Sequence, residues 1–461
     1  MLKILLVAAA LVPQTDTVQS VPAVLSLEKA IEIALSESPT VKVADMEIER
    51  TGYARKGTYS SLFPTVDGSA SFQRTIKKQV MYMDFDTSSM GGDSSSSGGF
   101  EVGRLNTWSA GITASMPLVN AQLWKSLKIS DQDVELSVEK ARSSRLEAVN
   151  QVKQAYFGVM LAKESFEVYK SAYENALANL EQIQRKYNAQ KASELELTRA
   201  KTTLANAIPN VYDAESSIVI GLWQLKAVMG IDLEADIDIE GKLSDYSEHM
   251  LYDMTEVGSM DISGNSSLKQ LEIQAEQLAN TVKMQQYANL PSLALSFTYN
   301  INAMTNDFNF SEYRWSPYAY AGLSLSIPIF AGGKRSSAIK QAKLQAQELD
   351  VQKLNTERQL KISIRQYLNS MENSMKSFSA AESAVTSAEK AYSITARSYD
   401  VGRSTLTDLN DSQYALTQAR LTVATAVYNF LTAKANLENV IGADFVDEDG
   451  NVQLNKTYSN E

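Results

Sequence analysis

Two carboxylates near the carboxyl end of the chain, Asp408 and Asp411, have a spacing that suits an electrostatic role. Residues three apart share one face of a helix, so we expect both side chains on the same face. Asp408 also follows Thr405 by three residues, which is the spacing of a capping box at a helix amino terminus. Asp411 lies a turn too deep to cap. The residues therefore allow capping at Asp408 and a charged helix face at both positions.

The side chains that enzymes and metal sites use most are scarce. The 461 residues include no cysteine and one histidine, His249, which lies in an acidic and irregular region. The chain thus has no thiolate metal ligand or cysteine nucleophile, and a lone histidine argues against a histidine metal site or a serine-histidine triad. With no constellation of acid, base and nucleophile, we predict no catalytic residue, no metal site and no cofactor.

The charge of the chain argues against nucleic acid as a partner. The formal net charge is −11, and no basic patch stands out along the sequence. The segment Gly332-Gly333-Lys334 is not a phosphate loop, because Arg335 follows the lysine where Ser or Thr is required and Pro328 occupies the place of the first glycine. We interpret this segment as the start of a helix.

A turn between two long helical patterns organises the rest of the chain. Gly402 can leave a helix in the left-handed conformation, and Thr405 can cap the helix that follows, which predicts a helical hairpin. An earlier segment has the same plan, with Ser193 and Glu196 as its capping box. We predict the tips of the two hairpins at about 188–193 and 400–405, and we call residues 187–196 the first turn and residues 399–408 the second turn. The offset between Ser193 and Thr405 is 212 residues, and the same offset relates Tyr187 to Tyr399.

Between the helical patterns, the hydrophobic period changes from 3.6 to 2, which predicts strands at about 65–75, 105–116, 292–300 and 318–327. The chain is thus a tandem internal repeat of helix, two strands, long helix, turn and long helix. Pro209 predicts a kink or break in the returning helix of the first copy. Four prolines are predicted at the strand-helix junctions: Pro64, Pro117, Pro291 and Pro328.

The segments outside the repeats have compositions of their own. Residues 1–20 have the charged start, short apolar run and small residues of a secretory signal peptide. We therefore divide the chain into that signal peptide, a first repeat at 21–230, an acidic segment at 231–265, a second repeat at 266–443 and a polar tail at 444–461. A glycine-serine segment at 90–100 predicts a flexible loop.

The strand count sets a requirement on assembly. Four strands cannot close a barrel, and an open sheet edge in lipid leaves backbone groups without partners. The sheet must then close between chains, with eight strands in a dimer or twelve in a trimer. Eight strands would be filled by side chains, whereas the small and polar alternate residues favour twelve around a water-filled bore.

The sequence resembles the TolC-like outer-membrane efflux family. The resemblance rests on LSLEKAIEIALSESPTV near the start, on SLSIPIFAGGKRSSAIKQA after the second strand pair, and on both turns. It implies a mixed α+β membrane protein: a homotrimer with a twelve-stranded β-barrel in outer-membrane lipid, four strands per chain. The barrel would continue into a periplasmic α-helical coiled-coil barrel, with residues 231–265 in an equatorial belt. Family members serve tripartite efflux pumps or type I secretion systems, with a periplasmic adaptor and an inner-membrane pump as partners.

The resemblance also implies roles for the turn residues. Asp408 and Asp411 match aspartates that ring the periplasmic aperture, and the turns match the region of gating and adaptor docking. The turn positions concerned are Tyr187, Gln190, Ser193, Glu196, Tyr399, Gly402, Arg403, Ser404 and Thr405. For the two tyrosines, packing between helices is the alternative. The chain departs from the pattern at Gln190, where glycine is usual, and at Ser404, where some members carry a latch arginine that here lies one place earlier.

Three functional interpretations follow from these patterns. The first is a passive exit duct, the second a periplasmic coiled-coil scaffold without a pore, and the third an enzyme. The four alternating strands argue against the scaffold, and the lack of a catalytic constellation argues against the enzyme. The sequence does not identify the exported substrate or the class of pump.

Overall fold

The computed structural model describes residues 24–82, 100–247, 250 and 262–442. The predicted signal peptide, residues 90–99 of the glycine-serine segment, His249 and the predicted tail at 444–461 lie outside the described residues. Two compact units are present. The helical unit comprises the described residues up to Asp45, Lys140–Lys269 and those from Thr356 onward, and the sheet unit comprises Met46–Glu139 and Gln270–Asn355.

The first half of the chain runs from short elements into a strand pair and then a long helical hairpin. Its elements are β1 (Val24–Leu25), α1 (Leu27–Glu37), α2 (Pro39–Ser60), β2 (Thr65–Arg74), β3 (Gln79–Met81), β4 (Phe100–Val102), β5 (Asn106–Val119), α3 (Ala121–Asn188) and α4 (Glu194–Met229). Ser26 caps α1, because its hydroxyl accepts a hydrogen bond from the Lys29 amide.

The second half follows a similar order after a short connecting region. Its elements are β6 (Asp238–Ile239), α5 (Leu243–Ser247), α6 (Ser266–Tyr287), β7 (Ser292–Thr305), a 3-10 turn (Phe310–Glu312), β8 (Ser316–Ser326), α7 (Lys334–Asp400) and α8 (Leu406–Ile441). Helices α3 and α7 have 68 and 67 residues, and α4 and α8 have 36 residues each. Among the described residues, no helix is long and apolar enough to cross a membrane.

The sheet unit contains an antiparallel four-stranded sheet in the order β2-β5-β7-β8. One row of partners runs from Gly68 to Ile112, Tyr299 and Ala319. The alternation in the sequence placed these four residues on the apolar side of their strands, and the register confirms that they share one face. Within the described residues, β2 and β8 form the two edges of this sheet.

Pro117 does not end its strand, contrary to the prediction that it marks a strand-helix junction. Strand β5 continues through Pro117, which pairs with Ala294, and reaches Val119 after a register shift. Proline lacks an amide donor, and a bulge is one of the places where a sheet tolerates that loss. Pro64 and Pro291 directly precede β2 and β7, and Pro328 lies two residues after β8.

Helix α4 contains Pro209 and continues as one helix from Glu194 to Met229, so the alternative of a break is wrong and the kink stays a prediction. A proline removes a single backbone hydrogen bond, and the regular helix on either side keeps the element continuous. The ends of α4 and α8 are both left-handed glycines, Gly230 and Gly442. A Cβ on Gly442 would lie 2.2 Å from the carbonyl oxygen of Gly264, so glycine is required there by close backbone approach as well as by its φ of 69°.

The core of the helical unit packs α1, the middle of α3 and the ends of α4 and α8 around fully buried aromatic side chains such as Phe157 and Phe430. Strand β1 pairs in parallel with β6, an element that the sequence did not predict within the acidic segment. The Tyr156 hydroxyl lies 2.9 Å from the Leu25 carbonyl oxygen and 2.7 Å from that of Glu240. This side chain therefore holds the β1-β6 pair onto α3.

Candidate functional site: the helical-hairpin turns

The second turn ends α7 in a left-handed glycine motif. Gly402 has φ of 75°, its amide donates to the Tyr399 carbonyl at 3.1 Å, and the Arg403 amide donates to the Ser398 carbonyl at 2.7 Å. These two bonds satisfy carbonyl groups that a helix end otherwise leaves without partners. The prediction that Gly402 supplies the left-handed residue is confirmed.

The first turn has the same backbone geometry without a glycine. Gln190 has φ of 55°, its amide donates to the Tyr187 carbonyl at 2.8 Å, and the Lys191 amide donates to the Lys186 carbonyl at 2.7 Å. A residue with a Cβ pays a steric penalty of roughly 1–2 kcal/mol in this conformation. The first turn therefore carries a steric cost at Gln190, and the second turn avoids that cost because Gly402 has no Cβ.

Both capping boxes are present, as the sequence predicted. In the first turn, the Ser193 amide donates to the Glu196 carboxylate at 2.9 Å, and the Glu196 amide donates to Ser193 Oγ at 3.2 Å. In the second turn, the Thr405 amide donates to the Asp408 carboxylate at 2.9 Å, and the Asp408 amide donates to Thr405 Oγ1 at 3.1 Å. These boxes satisfy the first amides of α4 and α8.

The hydrogen bonds of the second capping box favour the charged form of the Asp408 carboxylate. The Thr405 amide and hydroxyl both donate to the carboxylate, and they lower the pKa of Asp408 below its ordinary value because they stabilise the charged form. Asp408 and Asp411 are both exposed on the first turns of α8. The hairpin end therefore presents two carboxylates, and one of them is held in its charged state by the cap.

The two hairpins pack against each other through a small apolar cluster next to the turns. Its buried members are Ile183, Leu197, Ala200, Tyr399, Leu406 and Leu409. Tyr399 is only 6% exposed, and burial, with a smaller contribution from nearby carboxylates, raises the pKa of its hydroxyl. The Lys186 ammonium lies 4.6 Å from the centre of the Tyr399 ring. For Tyr399, packing between helices is therefore the observed role.

Tyr187 differs from Tyr399 although the two occupy equivalent positions. Its side chain is 38% exposed and it is not part of the buried cluster. The remaining turn residues also differ in exposure, since Arg403 is exposed and Ser404 is half-buried. The structure thus brings Tyr399 into the contact between the hairpins and leaves Tyr187 at the surface.

Polar contacts between the hairpins join residues about 200 positions apart. Gln182 Nε2 donates to Asp400 Oδ1 at 2.5 Å, and Asn410 Nδ2 donates to Thr203 Oγ1 at 3.1 Å. Arg199 Nη1 donates to Thr407 Oγ1 at 3.3 Å. Sequence reasoning missed these residues, because no local spacing relates them. Their common signal is position, since all lie within a few turns of the predicted hairpin ends.

The chemistry available at the turns is electrostatic. Among the described residues, no group of three or more histidine, cysteine, aspartate or glutamate side chains is placed to hold a metal ion. The exposed carboxylates of Asp408 and Asp411 can attract cations from solution, and the buried cluster and hydrogen bonds hold the hairpin ends together.

Comparison with known proteins shows extensive similarity. The family model described as "Outer membrane efflux protein" matches residues 30–231 and 259–443. Outer membrane protein TolC of Vibrio cholerae is 23% identical over 342 residues, which cover 72% of this chain and 76% of that protein. TolC of Escherichia coli is 22% identical over 364 residues, with coverage of 77% and 73%. The alkaline protease secretion protein AprF of Pseudomonas aeruginosa is 24% identical over 335 residues, with coverage of 72% and 69%.

Solved structures share the fold at lower sequence identity. The outer-membrane channel CmeC of Campylobacter jejuni superposes with a TM-score of 0.69 at 20% identity, covering 94% of this chain and 87% of that one. The outer membrane protein VceC of Vibrio cholerae also gives a TM-score of 0.69, at 16% identity, with coverage of 90% and 96%.

Proposed function

The chain belongs to the outer membrane efflux protein family and is located in the outer membrane of a Gram-negative bacterium, and on that premise we propose that it is the exit duct of a tripartite pump or type I secretion system. Family membership supports a role in efflux or secretion. The more specific proposal is a passive channel, gated at the hairpin turns, through which a periplasmic adaptor and an inner-membrane pump deliver their substrate.

The observation that carries this proposal is the open four-stranded sheet. In the part of the chain that the structure describes, β2 and β8 are its two edges, and each edge presents one row of backbone donors and acceptors to whatever lies beside it. A sheet in lipid cannot leave these groups without partners, so β8 of one copy would pair with β2 of the next. Three copies would close twelve strands, which is wide enough for a water-filled bore.

The lining of such a bore would come from the polar face of the sheet. Ser71 and Ser109 face each other across β2 and β5, with their hydroxyl oxygens 2.7 Å apart, and Thr65 and Ser115 make a similar pair at 2.9 Å. Small hydroxyl side chains occupy little volume and remain hydrated. They support an aqueous interior with the apolar face turned toward lipid.

We assign the aperture of the duct to the second turn. Three copies of Asp408 and Asp411 would place six carboxylates around the channel mouth, where they would favour cations. The contacts of the turns, including the buried Tyr399 and the Gln182–Asp400 hydrogen bond, would keep the mouth closed until an adaptor docks on the exposed turn residues.

Native mass spectrometry and planar-bilayer recording of the purified protein would test the duct. We expect a mass of three chains and a stable, water-filled conductance. A purified outer-membrane protein that is monomeric and does not conduct would contradict the proposal and would favour a scaffold without a pore. The transported substrate would be identified separately, from compounds or proteins retained by cells that lack this chain.

A further inference from the structure

At one end of the four-stranded sheet, β2, β7 and β8 each adjoin a helix through residues that expose large apolar side chains. Phe63 is 67% exposed ahead of β2, and Leu290 is 48% exposed ahead of β7. After β8, Ile329 and Phe330 are 91% and 86% exposed. We call Phe63, Leu290, Ile329 and Phe330 the apolar collar.

The apolar collar continues the apolar face of the sheet. Along β8, Leu323 and Leu325 are 67% and 60% exposed, and Ile327 and Ile329, which follow the last strand residue Ser326, are 58% and 91% exposed. Gly332 and Gly333 follow, both with positive φ and with open space around them. Exposed apolar side chains grouped in this way are typical of a surface that lipid or another protein chain covers.

Next to the apolar collar, the helix ends carry cations and no carboxylates. The first fourteen residues of α7 (334–347) contain Lys334, Arg335, Lys340 and Lys343 and no acidic residue, although the whole chain has a net charge of −11. The last ten residues of α2, the first ten of α3 and the last ten of α6 are likewise free of carboxylates and contain lysine.

Six exposed lysines from these four helices therefore lie toward the same end of the sheet. We call them the basic belt: Lys56, Lys128, Lys283, Lys334, Lys340 and Lys343. The nearest carboxylate on α3, Asp131, is already paired with Arg55 at 2.6 Å. Lys128 shares a pocket with Asp131, Glu135 and Glu276, so the cations most open to an external anion are the three lysines of α7, whose first fourteen residues include no carboxylate.

We propose that the apolar collar and the basic belt together form a binding surface for anionic phospholipids of the leaflet that faces the periplasm. The collar would lie in the acyl region, and the lysines would contact the phosphate headgroups just outside it. An apolar surface directly bordered by cations matches the two parts of such a lipid. The inference rests on the proposed function, because that function places the sheet in the outer membrane.

The lipid shell of the reconstituted full chain would test this inference. Wild-type protein would be inserted into phosphatidylcholine vesicles that contain a minor fraction of phosphatidylglycerol, extracted with its surrounding lipid by a nanodisc-forming polymer, and analysed by lipid mass spectrometry. We expect phosphatidylglycerol to be enriched roughly twofold over the bulk membrane, and the enrichment to disappear at high salt because it is electrostatic.

Two triple variants with the same charge change would locate the effect. K334Q/K340Q/K343Q should lose the enrichment, whereas K201Q/K361Q/K390Q, which neutralises exposed lysines of the helical unit, should retain it. A wild-type shell with bulk composition, or full enrichment around the first variant, would overturn the lipid surface. Conductance of the same samples separates the two proposals: a conducting protein without enrichment refutes only the lipid surface, and a protein that fails to insert refutes both.

Discussion

At the scale of single residues, Asp408 has two roles that a well-chosen substitution can separate. Its carboxylate accepts the hydrogen bonds of the capping box, and in the proposed trimer it also contributes charge to the channel mouth. Because those bonds lower its pKa, the cap and the charge persist above the ordinary aspartate pKa and are lost together as the pH falls through the lowered value.

Replacement of both aspartates, D408A/D411A, should reduce the preference of the channel for cations and its block by divalent cations, because up to six negative charges are removed from the mouth. Reversal potentials in bilayer recordings under a salt gradient measure this preference. The control is T405A, which removes the cap hydroxyl and keeps the carboxylates, and which should therefore retain cation preference. Unchanged selectivity in D408A/D411A would refute the aperture assignment.

Gln190 and Gly402 occupy the same left-handed position in the two turns, so substitutions at these positions can be compared directly. The variant Q190G should stabilise the first turn by about 1 kcal/mol, because it removes the Cβ penalty, and G402Q should destabilise the second turn by a similar amount. Hydrogen exchange of the Lys191 and Arg403 amides would report these changes as roughly fivefold effects in opposite directions. Exchange rates that change in the same direction in both variants would argue against strain at Gln190.

At the scale of elements, the hairpins are held together by a cluster in which one of two equivalent tyrosines is buried. Tyr187 and Tyr399 lie at equivalent positions in the two turns, and from the sequence both are candidates for gating or packing. The difference arises because the second hairpin directs Tyr399 against Ile183 and Leu197 of the first hairpin, whereas Tyr187 remains at the surface.

We expect Y399A to loosen the hairpin contact by about 3 kcal/mol, because it removes a large buried side chain and leaves a cavity. Y187A should change stability much less, since its ring is partly in solvent already. Limited proteolysis near residues 187–196 and 399–408 would measure the loosening, and Y399F serves as a control that keeps the ring. Equal sensitivity of Y187A and Y399A would contradict the observed difference in burial.

At the scale of the whole molecule, the proposed assembly rests on β2 and β8, the edge strands of the sheet within the described residues. The chain contains no native cysteine, so introduced cysteines report contacts between copies without background. The row Gly68, Ile112, Tyr299 and Ala319 identifies which positions of β2 and β8 share the apolar face, and therefore which pairs can meet across an edge.

Cysteine at Ala319 of β8, combined in turn with cysteine at Val66, Gly68 or Ala70 of β2, should give a covalent trimer on oxidation in at least one register. Denaturing electrophoresis without reductant would show the species formed, because covalent dimers and trimers differ in mass. Cysteines at Lys201 and Lys361 in the helical unit provide the comparison. Oxidation that stops at dimers in all registers would indicate closure by two copies.

The sequence by itself determined the features that depend on neighbouring residues. Capping boxes, the left-handed Gly402, the two long helical hairpins and the alternation of four strands all follow from local spacing, since each is stabilised by contacts within a few residues or by a simple period. Two prolines lie inside elements that local rules predict them to end or break. Pro117 lies at a register shift inside β5, and Pro209 lies inside a continuous helix.

Only the tertiary structure decided the features that join distant segments. It paired β1 with β6, buried Tyr399 while exposing Tyr187, and linked Gln182 to Asp400 across more than 200 residues. It also brought lysines of α2, α3 and α6 to the end of the sheet where α7 begins with three lysines of its own. Such groupings depend on which helix ends meet at the same end of a sheet, and no spacing along the chain records that information.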